Sequence, residues 1–391
     1  MSYIIGREDD FDFLSAEYAA LHADSGATSF QHGVWLHRLY TTLAPARGAR
    51  PVVVTVRRET DRGLVLVLPL VRVGRAVRTL TFADLGVADY NAAVVPQPVL
   101  VELSRRPEVV AGIRRTLGGF DLLRVDRVVG SPDAMAALLG GALVRRHHYD
   151  THLMTLEGTP EAWRGTLDAA FVRHLERKYK RLRPKGERVL RVVTAAAEVE
   201  PLMRRMRAFR SARFAERRGV DLVQDDATFA FYQAVAEDSV RLGGPGRLVV
   251  LDVGAEPVAI ALDLVEPDRE LFLLVGYDVE RLRNYSLGLL IVDGLVQDAI
   301  RRGKSYFDLT VGDEPYKSDF AARSVPLHQL RVPRTMRGRA AMVSADGLLA
   351  ARRAAKRVLL AVEARRARKA ARPTRSDDGA GSATPAQSQA Q

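Results

Sequence analysis

Between Asp308 and Lys317 the chain reads DLTVGDEPYK, which sets Asp308, Asp313, Glu314, Tyr316 and Lys317 within ten residues. Carboxylates can take up protons, a phenol can give one, and an ammonium can hold an anion, so the stretch carries the parts of an acid–base site. Gly, Asp and Pro are also ordinary turn formers, and the same residues read as a charged turn. A second stretch, RNYSLG from Arg283 to Gly288, opens a helical pattern. The free N–H groups and positive dipole end of a helix start suit a pyrophosphate. Ser286 there also reads as a plain N-cap, and Gly288 as a packing glycine. A third stretch, Asp89-Tyr90, reads as the lining of a cleft or as a buried tyrosine with a partner.

Other chemistries find little support. The chain has no cysteine, which excludes a disulfide framework, a thiolate zinc site and a cysteine nucleophile. Its eight histidines form no metal set: His147 and His148 are adjacent, and His148 and His152 are four apart across a strand pattern. Gly-x-Ser-x-Gly, P-loop and HExxH patterns are missing. No metal is expected.

Periodicity supplies the elements that would position these groups. Residues 8–43 read as two helices, followed by strand-like runs at 51–56 and 63–73 and a strand and loop in RTLTFADLGVADYNAAVV. A helix over 100–117, a strand FDLLRVDRV, a short helix near 132–140 and a strand at 151–156 complete the first half. A basic helix spans 160–183, then come a strand at VLRVV and helices over 197–218 and 226–242. RLVVLDV, VAIALDLV and LFLLVGYD form an antiparallel meander, followed by a helix from Ser286, the strand SYFDLT and the strand PLHQLRV. The second half thus repeats the order of the first, without visible sequence repetition.

The 391 residues allow two domains. The net charge is +12, yet residues 331–391 hold 14 basic and 4 acidic residues, a balance of +10 that leaves +2 for residues 1–330. The basic character therefore belongs to a C-terminal appendage. Its segment 333–372 reads as a basic helix fit for an anionic membrane surface or RNA, and 373–391 as disordered. The start reads as neither a signal peptide nor a span, which predicts a cytoplasmic protein, peripheral at the inner membrane face if the basic segment binds there.

Several motifs resemble the two-module GNAT acyltransferases labelled CelD/BcsL-like, associated with exopolysaccharide and cellulose loci and distantly related to the FemABX aminoacyltransferases. They are Ser29-Phe30 with Trp35, LPL at 68–70, Asp89-Tyr90, FVRHLERKYKRL, Gly276-Tyr277-Asp278, Ser286-Leu287-Gly288 and FDLTVGDEPYK. The resemblance covers about 10–332. It implies an α+β fold of two tandem GNAT-like modules, each a mixed, mostly antiparallel sheet flanked by helices, plus the basic helix and disordered tail. The expected division is a degenerate module at 1–157, an acyl-CoA-binding module at 158–332 that includes the basic helix 160–183, and the extension.

The implied activity is transfer of an acyl group, such as acetyl, from coenzyme A to an amino sugar, polysaccharide precursor or related amine. The approach Arg/Gln-x-x-Gly-x-Gly/Ala of such enzymes appears here as Arg283-Asn284-Tyr285-Ser286-Leu287-Gly288, with Ser in place of the first Gly. Those residues, with Gly276 and Tyr277, are the expected donor site. Asp308 or Glu314 is the expected base and Tyr316 the acid or orienter, while Asp89, Tyr90, Asp278 and Lys317 are expected to meet the acceptor. Two other readings remain: an aminoacyl-tRNA-dependent transferase that uses the basic helix, and a non-catalytic scaffold of a polysaccharide synthesis complex.

Overall fold

The computed structural model describes residues 2–215, 221–312 and 314–344. Its strands are β1 (Tyr3–Arg7), β2 (Arg50–Arg58), β3 (Leu64–Val73), β4 (Thr79–Phe82), β5 (Leu122–Val128) and β6 (Leu143–Thr155), then β7 (Arg188–Val192), β8 (Gly246–Val253), β9 (Glu256–Val265), β10 (Arg269–Tyr277), β11 (Tyr306–Val311) and β12 (Arg323–Pro333). β1 to β4 run antiparallel and β5 joins β4 in parallel. β7 to β10 repeat that pattern and β11 joins β10 in parallel. A parallel neighbour needs a crossover. Helices Gln97–Ser104 and Pro107–Thr116 provide it in the first module, and helix Leu287–Arg301 in the second.

β6 and β12 depart from a simple tandem arrangement. The sheet is continuous, in the order β1-β2-β3-β4-β5-β12-β6-β11-β10-β9-β8-β7. β12, from the end of the second half, lies against β5, while β6, from the end of the first, lies against β11, and the two pair with each other. Each half thus completes the other's sheet. Residues 1–339 accordingly form one compact unit.

One apolar cluster joins the halves across a face of the sheet, with Trp35 packed edge-on against Phe231 at 4.9 Å. A second lies under the first module's crossover helices, and a third under helix Leu287–Arg301. Phe30 and Trp35 are fully buried, and the Ser29 N–H donates to Glu266 at 2.7 Å, so this motif ties the modules together.

Several expected elements change. Helix 100–117 is two helices, since the residue before Pro107 resists helical geometry. The basic helix 160–183 is likewise two, Pro160–Gly165 and Ala169–Leu182, the second restarted by the Asp168 carboxylate accepting from the N–H groups of Ala170 and Phe171 at 2.9 Å. The first helix, Ala16–Asp24, begins later than Glu8 because Ser15 caps it. The strand at 151–156 extends back to Leu143 because both its edges are paired. β1 was not anticipated. The expected helix and tail over 345–391, like Asp313, lie outside the described residues.

Candidate active site

β10 and β11 pair only at Arg269–Leu271 with Tyr306–Asp308 and then diverge. The wedge between them opens a cavity of about 700 Å³, lined among others by Ser286 to Leu289, by Asp89 and Thr310, and by Glu314 to Lys317. The Asp278 N–H bonds to Val258 on β9, so by the antiparallel alternation the N–H and C=O groups of Val275 and Tyr277 point away from β9, toward the wedge. Arg210 agrees with this, donating to the Val275 carbonyl at 2.9 Å while it holds Asp221. The Val275 and Tyr277 amides are thereby aimed where an oxyanion or a pantetheine amide would lie.

The helix N-terminus is shaped for close approach. Ser286 takes φ +55° and makes no side-chain cap, so a residue type that strains the left-handed region stands at the turn. This backbone requirement, rather than closeness to phosphate alone, accounts for the glycine that the resemblance expects there. A Cβ on Gly288 would come within 2.9 Å of the Tyr277 ring, so that glycine lets the helix start lie directly on the aromatic side chain. Tyr277 also carries the Arg213 guanidinium 5.1 Å from its ring centre. Lys178, on helix Ala169–Leu182, donates to the Asn284 carbonyl at 2.7 Å and pins the approach loop.

At the other end, Phe307 and Leu309 point into the core and Asp308 to the opposite face, as alternation requires. That face is not open. Tyr90 covers Asp308, its hydroxyl donating to the carboxylate at 2.7 Å; Thr151 donates at 3.0 Å, the Thr310 N–H donates at 2.8 Å, and Arg269 stands 3.8 Å away. Burial pushes the Asp308 carboxyl up from its ordinary value, opposed by Arg269 and these donors. Burial and the Asp308 charge push the Tyr90 phenol well up.

Asp89 lines the cavity. Burial raises its carboxyl too, opposed by Arg127 and a hydrogen bond with Thr310 and reinforced by Asp308. Tyr316 lines the cavity as well, its phenol raised by burial and by the Glu314 charge. Lys317 is 2% exposed, and its ammonium donates to the carbonyls of Thr310 at 3.0 Å and Gly312 at 3.3 Å, with the Glu314 carboxylate at 3.1 Å. It clamps a strand end in which Thr310, a β-branched residue, takes φ +58°.

The expected residues therefore sort by position. Asp89, Tyr277, Arg283, Ser286, Leu287, Gly288, Glu314, Tyr316 and Lys317 line one cavity. Asp308 and Tyr90 form the buried layer behind Asp89 rather than the wall. Asp278 caps the short helix Val279–Leu282 and binds Arg281, which occupies its carboxylate. Gly276 sits where a Cβ would strike the Met206 carbonyl at 2.5 Å, a helix-packing requirement. Asn284 contributes its carbonyl to Lys178. Sequence reading missed Arg210, Arg213 and Phe214, which reach the cavity from helix Ala196–Ala215. Their i, i+3, i+4 spacing was the available signal. Thr151 and Thr310 carried none. Among the described residues, no group of three or more His, Asp or Glu is placed to hold a metal.

The first module has the same divergence, with β4 and β5 paired only at Thr79–Leu80 and Leu122–Leu123. There the chain fills its own wedge: Asn91 bridges to β5, donating to the Arg127 carbonyl at 2.9 Å, and Val94 exchanges hydrogen bonds with Val67 on β3. That plug is what carries Asp89 and Tyr90 to the second module's site.

Residues 169–318 match the family described as acetyltransferase (GNAT) domain. The second half of the chain is GNAT-like. The match starts at the helix whose Lys178 holds the Asn284 loop and ends just past Lys317, so it contains the whole wedge between β10 and β11. No curated protein matches the chain. Among solved structures, FemX aligns over 84% of this chain and 97% of its own, with 9% identity and a TM-score of 0.58. L-PGS from Bacillus licheniformis aligns over 89% and 98%, with 12% identity and a TM-score of 0.53. At such identities the likeness concerns the fold, and it spans both GNAT-like modules.

Proposed function

We propose that the protein is an acyltransferase that moves an acyl group from coenzyme A to an amine. The observation that carries this reading is the single cavity joining a helix start suited to pyrophosphate, a strand wedge lined by outward-aimed amides, and the pair Asp89 and Tyr316. A carboxyl raised by burial is a better base for an amine, and Glu314 is already paired with Lys317, which favours Asp89. Tyr316, which lines the same cavity, is the phenol available to give a proton to the departing thiolate. Asp308 is then a positioning residue that acts through Tyr90 and Thr310. The first module, taken as residues 1–157, serves as a degenerate partner supplying the acceptor side. An amino sugar or polysaccharide precursor fits that acceptor role, with the basic 333–372 segment holding the enzyme at an anionic membrane face.

Isothermal titration with acetyl-CoA, a longer acyl-CoA and free coenzyme A tests the donor half. Saturable binding is expected, and Gly288→Asp should abolish it with the circular dichroism spectrum unchanged, because bulk and negative charge then occupy the helix start. No binding by the wild-type protein to any of the three would sink the reading. A second reading, an aminoacyl-tRNA donor, draws on the exposed cations Arg173, Arg177, Lys180 and Arg181 on the helix that pins the donor loop. Salt-sensitive titration of tRNA, lost when those cations are replaced, would favour it.

A further inference from the structure

On the first module, away from the acyl-transfer cavity, a depression of about 690 Å³ is lined by Arg50, Arg72, Arg75 and Arg78 with Pro45, Gly48, Ala49 and Gly74. It shares no lining residue with the cavity at the wedge. Arg50 opens β2, Arg72 is next to last in β3, and Arg75 and Arg78 sit in the turn leading to β4, so three consecutive segments bring four arginines to the lining of one depression.

The arrangement sets like charges close together. Arg50 and Arg72 are direct cross-strand partners, and like charges so placed repel one another. The corresponding corner of the second module, where β8 begins beside the end of β9, sets Arg247 opposite Asp263. Most described arginines near a carboxylate are spent on it: Arg38 on Asp238, Arg210 on Asp221, Arg247 on Glu270. In the depression only Arg78 has such a partner, Asp121, with 3.3 Å between the groups. Among the described residues no carboxylate pairs with Arg50, Arg72 or Arg75. Planar guanidinium forks match phosphoryl oxygens in pairs, which an ammonium cannot do, and all four cations here are arginines. The depression, with small residues Gly48, Ala49 and Gly74 among its lining, has room for a compact anionic group.

We infer that this depression is a binding site for a phosphoryl-bearing ligand, separate from the donor cavity. The chemistry is shared by a soluble phosphorylated compound and by a lipid phosphate headgroup, and the test separates the two. Pyrophosphate is titrated into the full-length protein at low and moderate salt, and co-sedimentation is measured with phosphatidylglycerol vesicles and with neutral phosphatidylcholine vesicles.

For a soluble ligand, pyrophosphate should bind saturably and more weakly as salt rises. In a Gly288→Asp background, where the helix start no longer takes pyrophosphate, the binding should persist, and adding the pair Arg50→Ala with Arg72→Ala should weaken it about tenfold or more. For a headgroup, sedimentation with the anionic vesicles should be weakened in the same double variant, down to what the basic 333–372 segment alone supplies, even where pyrophosphate fails to bind. Arg72→Glu adds a control for folding: an acid opposite Arg50 relieves the repulsion, so this variant should keep or raise the melting temperature while losing the anion. Neither pyrophosphate nor vesicle binding, or binding that the double variant and Arg72→Glu retain in full, would overturn the proposal.

Discussion

At the scale of the residue, the carboxyls of half-buried Asp89 and fully buried Asp308 are both raised from their ordinary value by desolvation, but only Asp89 meets the cavity. As the base, Asp89 must be ionised, so turnover should fall with decreasing pH along a limb centred above the ordinary carboxylate value of about 4. Asp89→Asn should remove most activity together with that limb. Asp308→Asn should keep the limb and lose about 1–3 kcal/mol of stability, since two hydroxyls and an N–H face the substituted group. Pre-steady-state rates across pH and urea unfolding would separate the two roles; a limb that vanishes with Asp308→Asn would make that residue the base instead. For stability the sign is reversed. A raised folded value means that each buried carboxyl contributes most below the unfolded value of about 4, and the contribution is lost as pH rises through the folded value. Ser286 offers a simpler case: relieving its positive φ with Ser286→Gly should add about 1 kcal/mol in denaturant unfolding. An unchanged midpoint would mean that the turn relaxes without strain.

At the scale of the element, the end of β11 is what gives the cavity its far wall. Its pairing with β6 shifts register between Asp308 and Val311, where Thr310 takes its positive φ and Lys317 reaches back to the carbonyls of Thr310 and Gly312. Lys317→Met keeps the length of the side chain and removes those bonds. A loss of about 2 kcal/mol is expected, with kcat falling more than KM, because the wall carrying Tyr316 loosens. Equal changes in both constants would mark Lys317 as an acceptor-binding group. Much of this was readable beforehand: the alternation of Phe307, Asp308 and Leu309 gave the facing of Asp308, and the spacing after Ser286 gave the helix start. The burial of Asp308 was not readable, because Thr151 comes from β6 and Tyr90 from the loop after β4, both distant in sequence, and no local period encodes them. Asp278 and Gly276 misled for a related reason. A capping acid and a packing glycine look the same in sequence as site residues, and the contacts with Arg281 and Met206 decide between the two.

At the scale of the whole molecule, the exchange of β6 and β12 makes each half depend on the other. Residues 1–157 and 158–391 produced separately should each fail to show cooperative thermal unfolding, and a mixture refolded together should recover it. Independent cooperative folding of either piece would show that the exchanged strand is dispensable. The same exchange bears on how the chain is made. β5 is synthesised well before β12, so its edge waits for a partner while the ribosome adds the second module at about 5–20 residues per second. An uncovered strand is a template for pairing with other chains. β5 meets that interval with Arg124, Asp126 and Arg127 interleaved among its apolar residues, and β6 with Arg145, Arg146 and Asp150. Charges that make ion pairs in the finished sheet are also in the right place to keep a nascent one single until its last strand arrives.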